Sequence, residues 1–392
     1  MTTADIVIVG GGVTGTSTAF HLASLGARNV LLLERGQLAG GASGKSAAQV
    51  RMHYTNVHEA KLAFESLKIF QNWGEIVGGD CGFRPVGYVQ IAPTGMADRM
   101  AIHVQQQQLI GIDTRLVGPD ELRELQPEMR VDDVPAAAWE ASSGYADPLA
   151  TTWGFAAAAQ RLGVRVRLNT EVLRVLVERE RVVGVETAAG VITCQSVVLC
   201  PGAYANRLIG PLGLDYGLQT HRVQAVVFRW PPGFAGHAVC IDPANYIWFR
   251  PSGDGGTICG LETTFTTTPP EEHREGVDQG FVERARRQLA ARLPTMDSAV
   301  MRGGWAGLCM MSPDERAIID QPPSVAGLYL MLGDSDSSFK TAPAIGKCLA
   351  EWILEGAART VDLYPWRSTR FAEGKPWHDE LNYAEARIAG VG

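Results

Sequence analysis

The sequence predicts a mixed α/β protein: a doubly wound sheet domain, interrupted by a second domain whose mixed or antiparallel sheet is flanked by helices. Three observations predict it. An apolar strand, a glycine turn, a helix and a second strand fill residues 4–35. Strand, polar loop and helix recur over 327–355. Between them, from about residue 219, the pattern turns strand-rich.

The first element is Ala4-Asp5-Ile6-Val7-Ile8-Val9, β-branched and apolar, which reads as a buried strand. Gly10, Gly12 and Gly15 then satisfy G-x-G-x-x-G, with Gly11, Val13 and Thr14 between them. A helix-compatible stretch follows, then Asn29–Leu33 and the acid Glu34, about 20 residues on. Gly10 permits a tight turn, Gly12 lets backbone approach a pyrophosphate, and Gly15 lets the helix pack on the strand. The N–H groups and dipole at the helix start then face a dianionic diphosphate, and Glu34 takes the ribose hydroxyls. The plainer reading is an ordinary glycine-rich turn beside a surface glutamate. Strand, helix and acid all in place argue against it. The motif alone does not separate NAD from FAD. Its position at the head of a long chain favours FAD. So does the loop Arg35-Gly36-Gln37-Leu38-Ala39-Gly40-Gly41-Ala42-Ser43-Gly44, placed to lie along the cofactor.

The remaining elements follow in order. Leu62, Phe64, Leu67, Phe70 and Trp73 recur at helical spacing, which predicts a helix within 46–75, after the polar stretch Gln49–Tyr54. Residues 82–92 read as a strand, 97–110 as a helix, and 120–125 as a short helix stopping before Pro127. Gly144–Pro148 is a turn ahead of a helix over 152–162. Strands are expected over 164–168 and 171–176, then a hairpin near Glu180-Arg181 with strands at 185–187 and 191–194. Ser196–Cys200 reads as a buried strand ending at Pro201-Gly202-Ala203, either a cofactor-facing loop or a plain strand-to-helix turn. Strands are predicted over 223–230, 238–241, 246–250 and 257–261, with a hairpin turn over 252–256. Val277, Phe281, Ala285, Leu289 and Leu293 mark an amphipathic helix on a sheet. Residues 327–333 form a strand, 334–340 a polar loop, and Ala342 opens a helix to about 355. From Arg367 the chain reads as a peripheral segment. The domain division is therefore 1–80, 148–218 and 310–365 for the cofactor, 81–147 and 219–309 for the substrate, and 366–392 outside both.

Composition excludes several classes. The 392 residues are 46% hydrophobic and 20% charged, with a net charge of −7, which gives nucleic-acid binding no electrostatic support. Seven scattered cysteines, with no C-x-x-C pair, predict reduced thiols in a cytoplasm and no zinc site. No His pairing suggests a metal, and no apolar run reaches membrane-spanning length. The first residues enter a strand at once, without the basic region of a signal peptide.

These pieces together resemble a known family, the FAD-dependent amine oxidoreductases of the D-amino-acid oxidase type. The likeness is greatest to sarcosine oxidases (monomeric or β-subunit), glycine oxidase and D-amino-acid dehydrogenases. The resemblance runs to about residue 360. It rests on the glycine motif with Glu34; Gly40–Gly44 followed by Arg51; Gly144-Tyr145-Ala146-Asp147-Pro148; Pro201-Gly202-Ala203; Gly307–Asp314; and Ser338–Gly346. It implies a Rossmann-like FAD-binding domain interrupted by a substrate domain. The chemistry it implies is hydride removal from a carbon bearing an amine, delivered to flavin N5, with hydrolysis of the imine. By resemblance to sarcosine oxidases, Arg51 and Lys340 bind the substrate carboxylate, for which a planar guanidinium is suited. The plainer alternatives are an Arg51 that binds cofactor or an internal acid, and a solvated Lys340. Tyr54 closes the pocket or packs in the core, and His53 touches substrate or flavin or is a structural histidine. The resemblance adds Gly10, Gly12, Val13, Thr14, Gly15, Glu34, Arg35, Ala42, Ser43, Val172 and Gly202 to the cofactor site. From the late region it adds Gly307, Gly333, Ser337, Ser338, Phe339 and Lys340.

Three departures bear on function. Where these enzymes have Ser-Gly-His-Gly-Phe, this chain has Ser335-Asp336-Ser337-Ser338-Phe339, which adds an acid near the site. The flavin-linking cysteine of monomeric sarcosine oxidases falls on Gly307, so noncovalent FAD is expected, with Cys309 as second choice. The lysine that promotes reaction with oxygen falls near Ile258, which favours a dehydrogenase. The leading expectation is oxidation of an amino acid or a secondary or N-methyl amine, a small-molecule substrate. The rivals are a 2-hydroxy acid or polyol dehydrogenase on the same fold, and a flavoprotein subunit of a hetero-oligomeric amine oxidase. A homo- or hetero-oligomer is open in each case.

Overall fold

A computed structural model describes residues 2–253, 255–262 and 266–378. One sheet has six strands in the order Ile318–Asp320, Leu328–Leu332, Ser196–Leu199, Ile6–Val9, Val30–Leu33, Arg165–Arg167. Its neighbours are parallel, except that Ile318–Asp320 runs against Leu328–Leu332. The chain enters this sheet three times, with long excursions between. Ile6–Val9 and Leu328–Leu332 are buried throughout, as parallel strands covered on both faces must be. The covering helices on one side are Val13–Ser24, Pro148–Arg161 and Ser338–Glu355. A four-stranded sheet built from Val172–Glu178, Arg181–Thr187, Gly190–Thr193 and Thr2–Thr3 lies beside it.

The long excursions build a nine-stranded mixed sheet. Its longest ladder pairs Gln219–Arg229 with Val300–Met311. Register aligns side chains across the strands: Gln90 opposite Ile241, Ile241 opposite Trp248, Trp248 opposite Gly260, and Ala225 opposite Trp305. Because side chains alternate along a strand, this row belongs to one face.

The structure departs from the sequence pattern where turn chemistry overrides periodicity. The helix expected within 46–75 spans Val57–Gln71, because the Asn56 side chain caps it by accepting the Glu59 N–H at 2.8 Å. The residues before it form a strand at Gln49–Val50 that pairs with Gly144–Tyr145. Only Tyr88–Ile91 of the 82–92 stretch is strand, since Gly82 and Gly87 have φ of +69° and +84°. The helix after the 144–148 turn begins at Pro148, with the Asp147 carboxylate accepting the Ala150 N–H at 2.8 Å. Val300–Met311 was not expected as a strand, because its glycines dilute the alternation. The late helix begins at Ser338, not Ala342, so Pro343 lies inside it. Asp254 of the predicted hairpin turn, and residues 379–392 of the predicted peripheral segment, lie outside the described residues. The described part of that segment is packed in: Trp366 and Arg370 are each 1% exposed.

Candidate cofactor and substrate site

The glycine turn lies at the C-terminal edge of Ile6–Val9. Gly10 has φ of +110°, and a Cβ there would strike the Cys200 carbonyl. Gly12 caps the helix with no side chain bonded to it, and a Cβ would stand 3.0 Å from Ser43 Oγ, itself the acceptor of the Val13 N–H at 3.0 Å. The turn is thus a concave backbone surface at a positive helix end, with no room for a side chain at Gly10 and little at Gly12. Gly15 packs against the Gly10 carbonyl. The Glu34 carboxylate accepts the Gly11 N–H at 2.6 Å and the Gly36 N–H at 2.8 Å. Each oxygen keeps a further lone pair for a ribose hydroxyl. The Arg35 guanidinium lies 3.9 Å over the Tyr204 ring, in the turn that Gly202 begins. Val172 shares an apolar cluster with Val9, Leu33 and Leu199. These residues gather around one strand edge.

A cavity of about 600 Å³ opens beside this edge. Val13, Thr14, Ala42 and Ser43 line one part; Arg51, His53 and Tyr54 line another. Gly307 and Cys309 enter from the nine-stranded sheet, and Ser337, Ser338, Phe339 and Lys340 from the late helix. Of the residues named from sequence, Gly10, Gly12, Gly15, Glu34, Arg35, Val172 and Gly202 sit at the strand edge, outside this lining. Gly333 is not in the lining either, and a Cβ there would stand 3.0 Å from Leu218 and 3.1 Å from Ser312.

Arg51 and Lys340 meet at Tyr54. The Arg51 Cζ is 4.9 Å and the Lys340 Nζ 5.4 Å from the centre of its ring. The Tyr54 hydroxyl and the Lys340 Nζ each donate to the Ser337 carbonyl at 3.2 Å, which holds the two side chains together. Arg51 Nη1 donates to the His53 carbonyl, while its Nε has no hydrogen-bond partner among the described residues. Burial works against the Arg51 charge, but Tyr88, Tyr54 and the carboxylates Glu140 and Glu262 keep it cationic. Glu140 is wholly buried and accepts the Met52 N–H at 2.9 Å and the Ser143 hydroxyl at 2.5 Å. Burial pushes its carboxyl up to about 7. His53 is buried with its ring 4.8 Å from that of His103. Burial, then His103 and Arg51, hold its imidazole well below the usual range, so it is neutral.

Cys309 donates to Asp334 Oδ1 at 3.4 Å. Burial and the charges of Asp334 and Asp336 push its thiol well above the usual range. A thiol kept protonated is a poor nucleophile, which argues against covalent attachment there. Burial and Asp336 in turn push the Asp334 carboxyl up to about 6. Sequence reading missed Trp248, Trp305, Glu262 and Trp377, all of which line the cavity. Trp305 Nε1 donates to the Lys45 carbonyl at 2.7 Å, tying sheet to cofactor loop. Strand register would have aligned Trp248 with Trp305, had the Val300–Met311 strand been recognised.

Residues 5–352 match the family model described as FAD dependent oxidoreductase, DAO. The chain belongs to this family. It is an FAD-dependent oxidoreductase, and the glycine cradle and Glu34 fit the diphosphate and ribose of that cofactor. Among relatives, the β subunit of sarcosine oxidase from Arthrobacter sp is 28% identical over 388 residues, covering 94% of this chain and 91% of the relative. A mouse mitochondrial protein, the pyruvate dehydrogenase phosphatase regulatory subunit, is 27% identical over 371 residues. That match covers 90% of this chain, which spans only 42% of the mouse protein's length. The crystal structure of L-proline dehydrogenase from P. horikoshii superposes with a TM-score of 0.89 at 23% identity, covering 96% of this chain and 100% of that one. Among the described residues no group of acids, histidines and cysteines is placed to hold a metal, and no helix is long and apolar enough to cross a membrane.

Proposed function

We propose that this flavoenzyme oxidises the C–N bond of an amino acid, with a secondary or N-methyl amine as the preferred donor. The observation that carries the reading is the convergence of Arg51 and Lys340 on the Tyr54 ring. Two cations that meet over one ring on a cavity wall form a receptor for a carboxylate. The similarity to a sarcosine oxidase subunit supports the same class of substrate. When bound, FAD supplies the acceptor for the hydride leaving the carbon that bears the amine. The chain's residues do the positioning. Arg51 and Lys340, held together at the Tyr54 ring, fix the carboxylate end, and Trp248 and Trp305 line the same cavity. In this reading the six-stranded sheet carries the cofactor and the nine-stranded sheet roofs the substrate.

No lysine stands at Ile258, and the cation on the neighbouring strand, Arg250, is turned to the Ala47 and Pro251 carbonyls. This favours a dehydrogenase that passes electrons to an acceptor other than oxygen. The seven unpaired thiols favour a cytoplasmic setting, and the subunit relative favours work within an oligomer. The test is anaerobic titration of the holoprotein with a panel of amino acids, amines and 2-hydroxy acids, read by flavin bleaching. Secondary amino acids should bleach it. Arg51→Ala and Lys340→Ala should each lower kcat/KM for them by about 10²-fold or more with the flavin spectrum retained. Bleaching by hydroxy acids alone overturns the reading.

A further inference from the structure

The match to the family model ends at residue 352, yet Trp377 and His378, well beyond it, line the cavity. What the family shares is the reaction. A stretch outside the shared pattern that still reaches the cavity is where one chain can set its own substrate limits.

Three elements meet around Trp377. The helix Val57–Gln71 gives Glu59, the loop after Val300–Met311 gives Arg316, and an ion pair at 3.0 Å joins them. The same loop gives Asp314, which accepts the Trp377 N–H at 2.9 Å and pairs with Arg370 at 2.8 Å. The Trp377 ring packs back on the helix start. Its centre is 5.9 Å from that of His58 and 5.3 Å from that of the buried Trp366. Glu59, Asp314 and Arg316 line the cavity together with Trp377. So does Tyr54, the ring on which Arg51 and Lys340 converge, which lies just before that helix in the chain.

The Trp377 side chain is half-buried, with two rings packed on it, so it has little freedom to give way to a ligand. Its attachment and its bulk are separable. Asp314 holds the backbone N–H, a group that every residue except proline has. The side chain can therefore be changed with the attachment kept.

We propose that Trp377 is a specificity-determining residue: its indole is the wall that limits substrate length, so the enzyme takes compact amino acids and rejects those with long side chains or long N-alkyl groups. This rests on the amine-oxidation reading above.

The test is anaerobic flavin bleaching of the holoprotein by two homologous series, N-methylglycine to N-butylglycine and alanine to norleucine. Wild type should lose kcat/KM as the series lengthen. In Trp377→Ala the ratio of kcat/KM for the longest to the shortest member should rise in at least one series by about 10-fold or more, the scale on which an apolar pocket discriminates a methylene. Trp377→Leu and Trp377→Phe should fall between, and they carry the test if the alanine variant does not fold. Straight-chain acids from acetate to hexanoate, read without turnover as shifts of the flavin spectrum, should show the same relaxed limit. A wild type indifferent to length overturns the proposal. So does an equal loss across both series, or weaker flavin retention with the ratios unchanged, since either means that the indole serves only the fold or the cofactor. If no amino acid bleaches the wild type, the amine reading itself fails and this inference falls with it.

Discussion

Glu140 shows what burial does to a single residue. Its two accepted hydrogen bonds leave Oε1 without a partner among the described residues, and its carboxyl is pushed up to about 7. A raised value means that the folded state binds the proton more tightly than the unfolded chain does. The stability this contributes is full below the ordinary carboxylate range and is lost as pH rises through about 7. Glu140→Gln, which stays neutral, should flatten the pH dependence of unfolding between about pH 4 and about pH 7, a change of roughly 3 kcal/mol across that span. Denaturant melts at several pH values check it. The same residue holds the Met52 peptide beside Arg51, so the variant should also raise KM several-fold. At this scale the sequence was informative where chemistry is local. Gly10 and Gly15 announce a turn because only glycine fits. Glu140 and Glu262 announce nothing, since a lone glutamate in a strand-rich stretch reads as surface.

The late helix, Ser338–Glu355, is the element on which both ends of the site depend. Its first turn presents Ser338, Phe339 and Lys340 to the cavity. Its middle presses on the glycine-turn helix: a Cβ at Gly346 would stand 2.7 Å from Ser17 C and Thr18 N. Gly346→Val should therefore push the two helices apart and cost about 1–3 kcal/mol, read as a lower Tm and weaker FAD retention. Pro343 explains why the helix start was misplaced. Proline usually stands in the first turn, so it suggested an opening near Ala342. Instead the helix runs through it, and neighbours meet the disturbed groups: Ala344 N–H donates to Ser66 Oγ at 3.0 Å, and Ser17 Oγ donates to the Pro343 carbonyl at 3.4 Å. Both partners come from other helices, so no local pattern encodes them.

Across the whole molecule, the chain after the last sheet strand returns to the cavity. Trp377 and His378 line it, and the Trp377 N–H donates to Asp314 at 2.9 Å. Asp314 also pairs with Arg370 through two nitrogens, at 2.8 and 2.9 Å. Burial opposes the Asp314 charge, but Arg370, the Trp377 N–H and the Ser312 hydroxyl hold its carboxyl below the usual range. Stability from this pair is thus present above the ordinary aspartate value and lost as pH falls below it. Arg370→Ala strands a buried carboxylate and should cost about 3–5 kcal/mol, measured as a loss of Tm that deepens above pH 4 or so. The amino-acid sequence by itself determined the α/β class, the dinucleotide turn and the family chemistry. These depend on short-range patterns, an alternation, a glycine spacing or a strand-turn-helix order, that act within a few residues. Only the tertiary structure decided that Arg51, Tyr54 and Lys340 form one wall, that Glu262 faces the same cavity, and that residues 370–378 close against Asp314. Those groups lie up to hundreds of residues apart, and their contacts exist only once sheet register and helix packing bring distant backbone into van der Waals range.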